Sequence, residues 1–264
     1  MTIKEVAVTL EQFAPLPLQE SYDNAGLQIG LTENENVSGV LLCLDVTEKI
    51  ILEAEKKGCN LIVAHHPLLF RPLKRISGQT QVERCVILAL QKGISIYAAH
   101  TNLDNALGGV NFMMAEKIGL TRISFLEPLK NGNGGSGIVG YLSESEEPAS
   151  FLHRVAETFG VKSMLHNELL KRPIHCVALC GGAGEFLLDR AIEVGADAFL
   201  TGEMGYHRYF GHEGEILIGV MGHYQSEQYT IDLLHRILSQ ADLSLHIEKT
   251  ELNTNPIYYN GCQR

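Results

Sequence analysis

The sequence predicts an α/β protein of two similar domains with mostly parallel sheets, and three observations carry that expectation. Short Val/Ile/Leu-rich runs alternate with helical patterns closed by glycine. The same alternation returns in the second half of the chain. Each buried run ends in polar residues, as expected where sites form outside the carboxyl ends of parallel strands.

Taken in order, residues 2–13 predict a helix, followed by the turn-rich SYDNAGLQIG. GVLLCLDVT has the pattern of a buried strand, and EKIILEAEKKG that of a helix closed by Gly58. NLIVAHHP is a second strand stopped at Pro67, which puts His65 and His66 at the carboxyl end of a parallel strand. A helix over 81–92 ends at Gly93 and leads into a third strand, ISIYAAHTNLD. Two such returns imply a parallel sheet with right-handed crossovers. KNGNGGSG, from Lys130 to Gly137, is a linker or a hairpin. The expected domains are therefore 1–128 and 129–264, with room for the C-terminal segment to pack back on the first. Beyond that stretch GIVGYL is a strand, ASFLHRVAETFG a helix, and PIHCVALCGGAGEFLLDRAIEVGADAFLTGE a second strand-helix-strand unit.

The halves align by hand. A shift of 137 sets Cys43 on Cys180, Ala54 on Ala191, Gly58 on Gly195 and His66 on Glu203. A shift of 123 sets His100 on His223 and Asp104 on Glu227, so the second half needs a shorter connection before its third strand. An internal duplication would produce this pattern.

Composition narrows the function. The chain has 264 residues, 45% hydrophobic and 20% charged, enough for one large domain or two small ones. Tryptophan is absent, so aliphatic residues must supply most of the core. A net charge of -10 and a pI near 5.5 count against nucleic-acid binding. Arg71, Lys74 and Arg75 form the best basic candidate, and a solvated loop accounts for them equally well. The six cysteines (Cys43, Cys59, Cys85, Cys176, Cys180 and Cys262) include no CxxC pair and read as reduced. The amino terminus does not have the pattern of a signal peptide, and no apolar run has the length of a membrane span. A cytoplasmic location is expected.

The chemistry gathers at strand ends. His65, His66 and Asp104 follow strands, and His223 and Glu227 lie four apart where a helix begins, so they share one face. Imidazole with carboxylate suits zinc, iron, manganese, nickel or cobalt. Five ligands are too many for one catalytic zinc and fit two divalent cations about 3.5–4 Å apart with a bridging carboxylate. His100, Glu203 and His207 are candidates to orient ligands, bind substrate or move protons, or else are ordinary hydrogen-bonding residues. Thr47 has the position of a helix cap. The stretch from Gly181 to Glu185 is either a phosphate-cradling turn or a place of tight packing. His153, His166, His175, His235 and His246 have no such companions and read as structural or surface residues.

YDNAGLQIG, LDVT, NLIVAHHPLLF, AAHTNLD, GADAFLTGE and GHYQSE, in that order from Tyr22 to Glu227, resemble the Nif-three-like dinuclear-metal-centre family. Its bacterial members carry the name of GTP cyclohydrolase I type 2 homologues. The resemblance implies that His66 and Asp104 hold one metal, that His65 and His223 hold the other, and that Glu227 bridges them. It further implies interlocked domains in a toroidal homohexamer. The family name implies a hydrolase in which metal-activated water opens the guanine ring of GTP. The alternative implied by other members is a non-catalytic ring scaffold or regulator linked to transcription or DNA repair. Two departures stand out: Tyr22 replaces a frequent tryptophan, and the long insertion that some members carry between the halves is missing.

Overall fold

Local sequence sets the elements of the chain, which the computed structural model describes over residues 1–30, 35–130 and 132–260. Asn131 and Cys262 lie outside the described residues. The first elements are α1 (Ile3–Phe13), β1 (Gly26–Ile29), β2 (Val40–Cys43), α2 (Glu48–Lys56), β3 (Leu61–Ala64), α3 (Gln81–Lys92), β4 (Ser95–Ala98) and α4 (Thr101–Asp104). There follow α5 (Val110–Lys117), β5 (Thr121–Pro128), β6 (Gly135–Glu146), α6 (Pro148–Phe159), β7 (Leu165–His166), β8 (Ile174–Cys180), α7 (Leu188–Glu193), β9 (Ala198–Thr201), β10 (Leu217–Val220) and α8 (His223–Glu227). The chain continues through α9 (Thr230–Ala241) and β11 (Ile247–Lys249).

The helix ends follow their capping chemistry. Thr2 and Glu5 form a reciprocal capping box at the start of α1, whose buried Ile3, Val6 and Leu10 fall on one stripe. Thr47 caps α2 by accepting from the Ile50 amide, and Thr80 does the same for α3 from Glu83. α3 stops at Gly93, whose φ of +64° is the left-handed conformation that glycine adopts without penalty.

The chain divides into two compact units, Met1–Ala106 with Thr230–Thr254 and Leu107–Tyr229 with Asn255–Arg264. Among the described residues the first unit has one five-stranded sheet in the order β1-β4-β3-β2-β11. β11, β2, β3 and β4 run parallel and only β1 is antiparallel. β2, β3 and β4 are buried at every position, as a parallel sheet covered on both faces requires. Ile50, Ile51, Ala54, Cys85 and Ala89 of α2 and α3 pack on Leu41, Ile62 and Ile96, each large aliphatic side chain contributing about 1.5–3 kcal/mol by its burial. α9 packs against β2, β11 and α1.

The second unit has a six-stranded sheet among the described residues, in the order β5-β6-β8-β9-β10-β7. β8, β9 and β10 are parallel, whereas β6 is antiparallel to both β5 and β8, and β7 is antiparallel to β10. The expectation of mostly parallel pairing therefore describes the first sheet fully and the second in part. The cause is the tight hairpin connection between β5 and β6: Leu129 and Gly134 bond across it, and strands joined so tightly can pair only antiparallel. Residues 128 and 129 both fall within this second unit. Phe151, Phe159, Leu179 and Leu200 fill one side of this sheet, and Leu188, Ala191, Phe199 and Ile218 the other.

The two sheets share a four-strand order, β1-β4-β3-β2 in one and β7-β10-β9-β8 in the other. Their registers match at a shift of 137: Val40 pairs with Leu61, and Val177 with Ala198. The third strand follows at 122, since Leu61 pairs with Ser95 and Ala198 with Leu217. The shift of 123 that relates the histidines thus requires one extra residue after β10. Gly222, with φ of +97°, lies in that loop.

Among the described residues no helix is long and apolar enough to cross a membrane. Cys43, Cys59, Cys85, Cys176 and Cys180 are buried thiols outside any disulfide, and burial pushes those of Cys59 and Cys85 up to about 11.

Candidate metal centre

In the first unit the pairing of β3 continues one step past the strand, where the amides of His65 and His66 donate to the carbonyls of Cys43 and Leu44. This anchors the backbone of both histidines and delivers their rings to the carboxyl edge. His65 is fully buried and His66 half-buried. Their ring centroids lie 4.9 Å apart, and those of His65 and His66 lie 5.4 and 5.5 Å from His100. Asp104, at the end of α4, brings a carboxylate oxygen to 3.7 Å from His65 Nε2.

Each of these rings has an oxygen on Nδ1. His65 Nδ1 lies 2.8 Å from the Ala99 carbonyl, His66 Nδ1 2.8 Å from Asp45, and His100 Nδ1 2.7 Å from Asp23. A carbonyl only accepts, so His65 Nδ1 must carry the proton, and a neutral ring then presents its lone pair at Nε2. Carboxylates on Nδ1 favour the same tautomer in His66 and His100, the arrangement by which proteins orient metal-binding histidines. Burial would raise the Asp23 carboxyl, but hydrogen bonds from His100 and Thr101 outweigh it and hold the group at about 2. Burial likewise opposes ionisation of Asp45, and His66 and the Thr254 hydroxyl bring it below its ordinary value.

In the second unit α8 carries His223 and Glu227 on one face, with His223 Nε2 3.0 Å from the Glu227 carboxylate. Glu203, just past β9, takes His223 Nδ1 at 2.8 Å. Glu227 is only 4% exposed. Its burial depends on glycines after β8 and β9: a Cβ on Gly182 (φ +59°) would lie 2.3 Å from Glu227 Oε1, and one on Gly202 2.7 Å from Ser226 Oγ. The Gly181, Gly182 and Gly184 amides donate to Asn111, Ser226 and Thr201. Of the two sequence readings, tight packing is the one these contacts satisfy, because the amides that would cradle a phosphate are engaged internally.

A cavity of about 870 Å³ opens beside Glu203 and Gly222, with Glu185, Phe186, Met204 and Tyr259 also on its wall. The first unit has a cavity of about 690 Å³ whose wall includes Tyr22, Asp23 and Phe70. Asp23 and Phe70 both touch His100, the phenyl ring at 6.2 Å.

Within the first unit His65, His66, His100 and Asp104 come together, and within the second His223, Glu203 and Glu227. His207 is on an exposed 3₁₀ turn, Tyr206–Tyr209, with ring contacts to Tyr206 and Phe210. Sequence reasoning passed over Asp23 and Asp45. Asp45 follows a buried strand just as His65 does and was open to the same argument, whereas Asp23 lies in a turn-rich segment with no periodicity to mark it.

Comparison with known proteins agrees with this architecture. The model of the Duf34/NIF3 (NGG1p interacting factor 3) family matches residues 1–256. A Lactococcus lactis protein named GTP cyclohydrolase 1 type 2 homolog is 33% identical over 98% of this chain and 99% of its own length. A Clostridium acetobutylicum protein of the same name is 31% identical over 96% and 94%. The crystal structure of a Bacillus cereus protein related to NIF3 superposes with a TM-score of 0.88 at 25% identity, covering 98% of this chain and 99% of that one.

Proposed function

The chain belongs to the Duf34/NIF3 family, and from that premise we propose that it is a metal-dependent hydrolase holding two divalent cations. As the family resemblance implies, His66 and Asp104 would hold one cation and His65 and His223 the other, with Glu227 serving both. The observation that carries the proposal is the common setting of the histidines: His65, His66 and His223 each have Nδ1 on an oxygen. Nε2 of His65 and of His223 then faces a carboxylate, Asp104 or Glu227. That donor set suits zinc, iron, manganese, nickel or cobalt.

When bound, two such cations supply Lewis-acid activation of water. The chain's own groups do the rest. The Ala99 carbonyl, Asp45 and Glu203 fix the tautomers of His65, His66 and His223. Asp23 orients His100, whose Nε2 is available to hold or pass a proton next to the reacting group. His207 would contact substrate rather than metal. GTP cyclohydrolase-like ring opening, suggested by the relatives' names, is the first reaction to test. The working form is proposed to be a cytoplasmic homohexamer. A duplicated ancestral half is proposed as well, supported by the strand order and the 137-residue register common to both sheets.

The test is a substrate screen of metal-reconstituted protein over nucleotides, phosphoesters and cyclic amides, alongside elemental analysis. Turnover with up to two metals per chain, both abolished by His65→Ala/His66→Ala, is the expected result. Full turnover by a variant that has lost its metal would overturn the proposal. Light scattering checks the hexamer.

A further inference from the structure

The connection between β3 and α3 carries Arg71, Lys74 and Arg75, all exposed. Among the described residues none of the three makes an ion pair or side-chain hydrogen bond. Other cations of the chain do pair: Lys57, Arg84, Lys92, Arg154 and Arg172 each meet a carboxylate. With 31 acidic residues available in the sequence, three unpaired cations within five positions form a local reversal of charge.

Pro72, Leu73 and Ile76, interleaved with these cations, line the 690 Å³ cavity. Three of its polar wall side chains are engaged within the unit. Asn24 donates to the Leu69 carbonyl, Gln28 accepts from the Leu69 amide and donates to the Asn24 carbonyl, and Asp23 serves His100 and Thr101. What the wall offers a ligand is hydrocarbon and aromatic surface, including Tyr22 and Phe70, whose rings meet edge to face at 6.3 Å.

We propose that this cavity binds a small molecule joining a planar aromatic group to a phosphoryl group. The ring lies against Tyr22 and Phe70, and Arg71, Lys74 and Arg75 hold the phosphate at the rim. The assignment deepens the hydrolase reading and rests on it for its meaning, since the cavity wall touches His100 through Asp23 and Phe70. The binding itself needs none of the proposed metal ligands.

The test uses the full chain, both chelator-stripped and metal-loaded, with 1-naphthyl phosphate, 1-naphthol and inorganic phosphate as probes in titration calorimetry. Naphthyl phosphate should bind at least about tenfold more tightly than either fragment, with an affinity that falls as salt rises. The exposed triple variant Arg71→Ala/Lys74→Ala/Arg75→Ala should keep the parent melting temperature. It should weaken naphthyl phosphate about ten- to hundredfold, the scale of lost charge-assisted hydrogen bonds, and leave naphthol unchanged. Phe70→Ala should weaken both aromatic probes and spare phosphate. Unchanged affinity in the triple variant, or no effect of Phe70→Ala, would overturn the assignment. So would a single-stranded oligonucleotide that binds more tightly than naphthyl phosphate through the same residues. Binding by stripped protein that shows no turnover once metal-loaded would support the cavity assignment while removing the hydrolase reading.

Discussion

The two units use one strand plan and part company at its carboxyl edge. Between β3 and β4 the first unit inserts a long connection with a full helix, α3, where the second bridges β9 and β10 with little more than a 3₁₀ turn. Position 45 is an aspartate that orients His66, and its counterpart at the 137-residue shift is Gly182, which makes room for Glu227. His66 itself corresponds to Glu203, an acceptor for His223 instead of a metal-type donor. The common strand order therefore fixes where side chains emerge, while residue choice at the edge gives the first unit three imidazoles and the second one, His223. A fold of this type tolerates such differences because strand-end residues do not take part in packing between strand and helix.

Substitutions at matched positions can break or sharpen that comparison. The largest effect is expected at the proposed bridge: Glu227→Gln should reduce bound metal by at least about half in elemental analysis. Glu203→Gln, which only orients His223, should lower metal affinity by about ten- to hundredfold without abolishing saturation. Equal losses from both would erase the distinction between holding and orienting.

Next comes Gly182→Ala, where a methyl group would meet Glu227 in a backbone conformation that disfavours side chains. A destabilisation of about 2–4 kcal/mol is expected in urea unfolding. Gly58 and Gly195 provide the control. They close equivalent helices with φ of +71° and +73° and have nothing within 4 Å of an added Cβ. Alanine at either should cost about 1 kcal/mol, from backbone strain alone. Unequal costs would show that the two helix ends differ energetically despite matching geometry.

The smallest effect concerns acid stability and belongs only to the first unit. Glu83 of α3 accepts from the Ser77 hydroxyl and amide and from the Gln79 amide, and these bonds lower its carboxyl from 4.5 to about 2. Since the folded value is the lower one, the stabilisation is complete above about pH 4.5 and disappears as pH falls towards 2. Glu83→Gln should lower the melting temperature at pH 7 and flatten its decline between those values. A parallel decline in parent and variant would remove Glu83 from the account.

The legible part of the molecule was the part governed by local periodicity and punctuation. The 81–92 helix emerged with its bounds intact because Thr80 and Gly93 cap a strongly amphipathic segment. The buried strands β2, β3 and β4 were visible as short apolar runs. β5 was not, because most of its residues are exposed and only Leu126 is fully buried, and β11 is only three residues long. The candidate ligands could be named from strand ends, but their orienting partners depend on long-range geometry. Asp23 reaches His100 across 77 positions, and the Ala99 carbonyl reaches His65 across 34. His207 shows the converse: nearness in sequence to Glu203 did not bring it to His223, because the chain turns outward through Tyr206–Tyr209.

The pairing of β11 with β2 has a consequence for synthesis on the ribosome. β2 is complete early, yet its neighbour on that side is Ile247–Lys249, and α9, which packs against it, begins only at Thr230. At about 5–20 residues per second, roughly 140 residues separate Ala106 from β11 and take about 7–28 s to translate. Throughout that interval the nascent first unit has an unpaired apolar strand edge, the kind of surface that recruits other chains. Yield of native protein should therefore depend on whatever shields Val40–Cys43 during elongation, and a truncation before Thr230 should aggregate even though every proposed metal ligand is present.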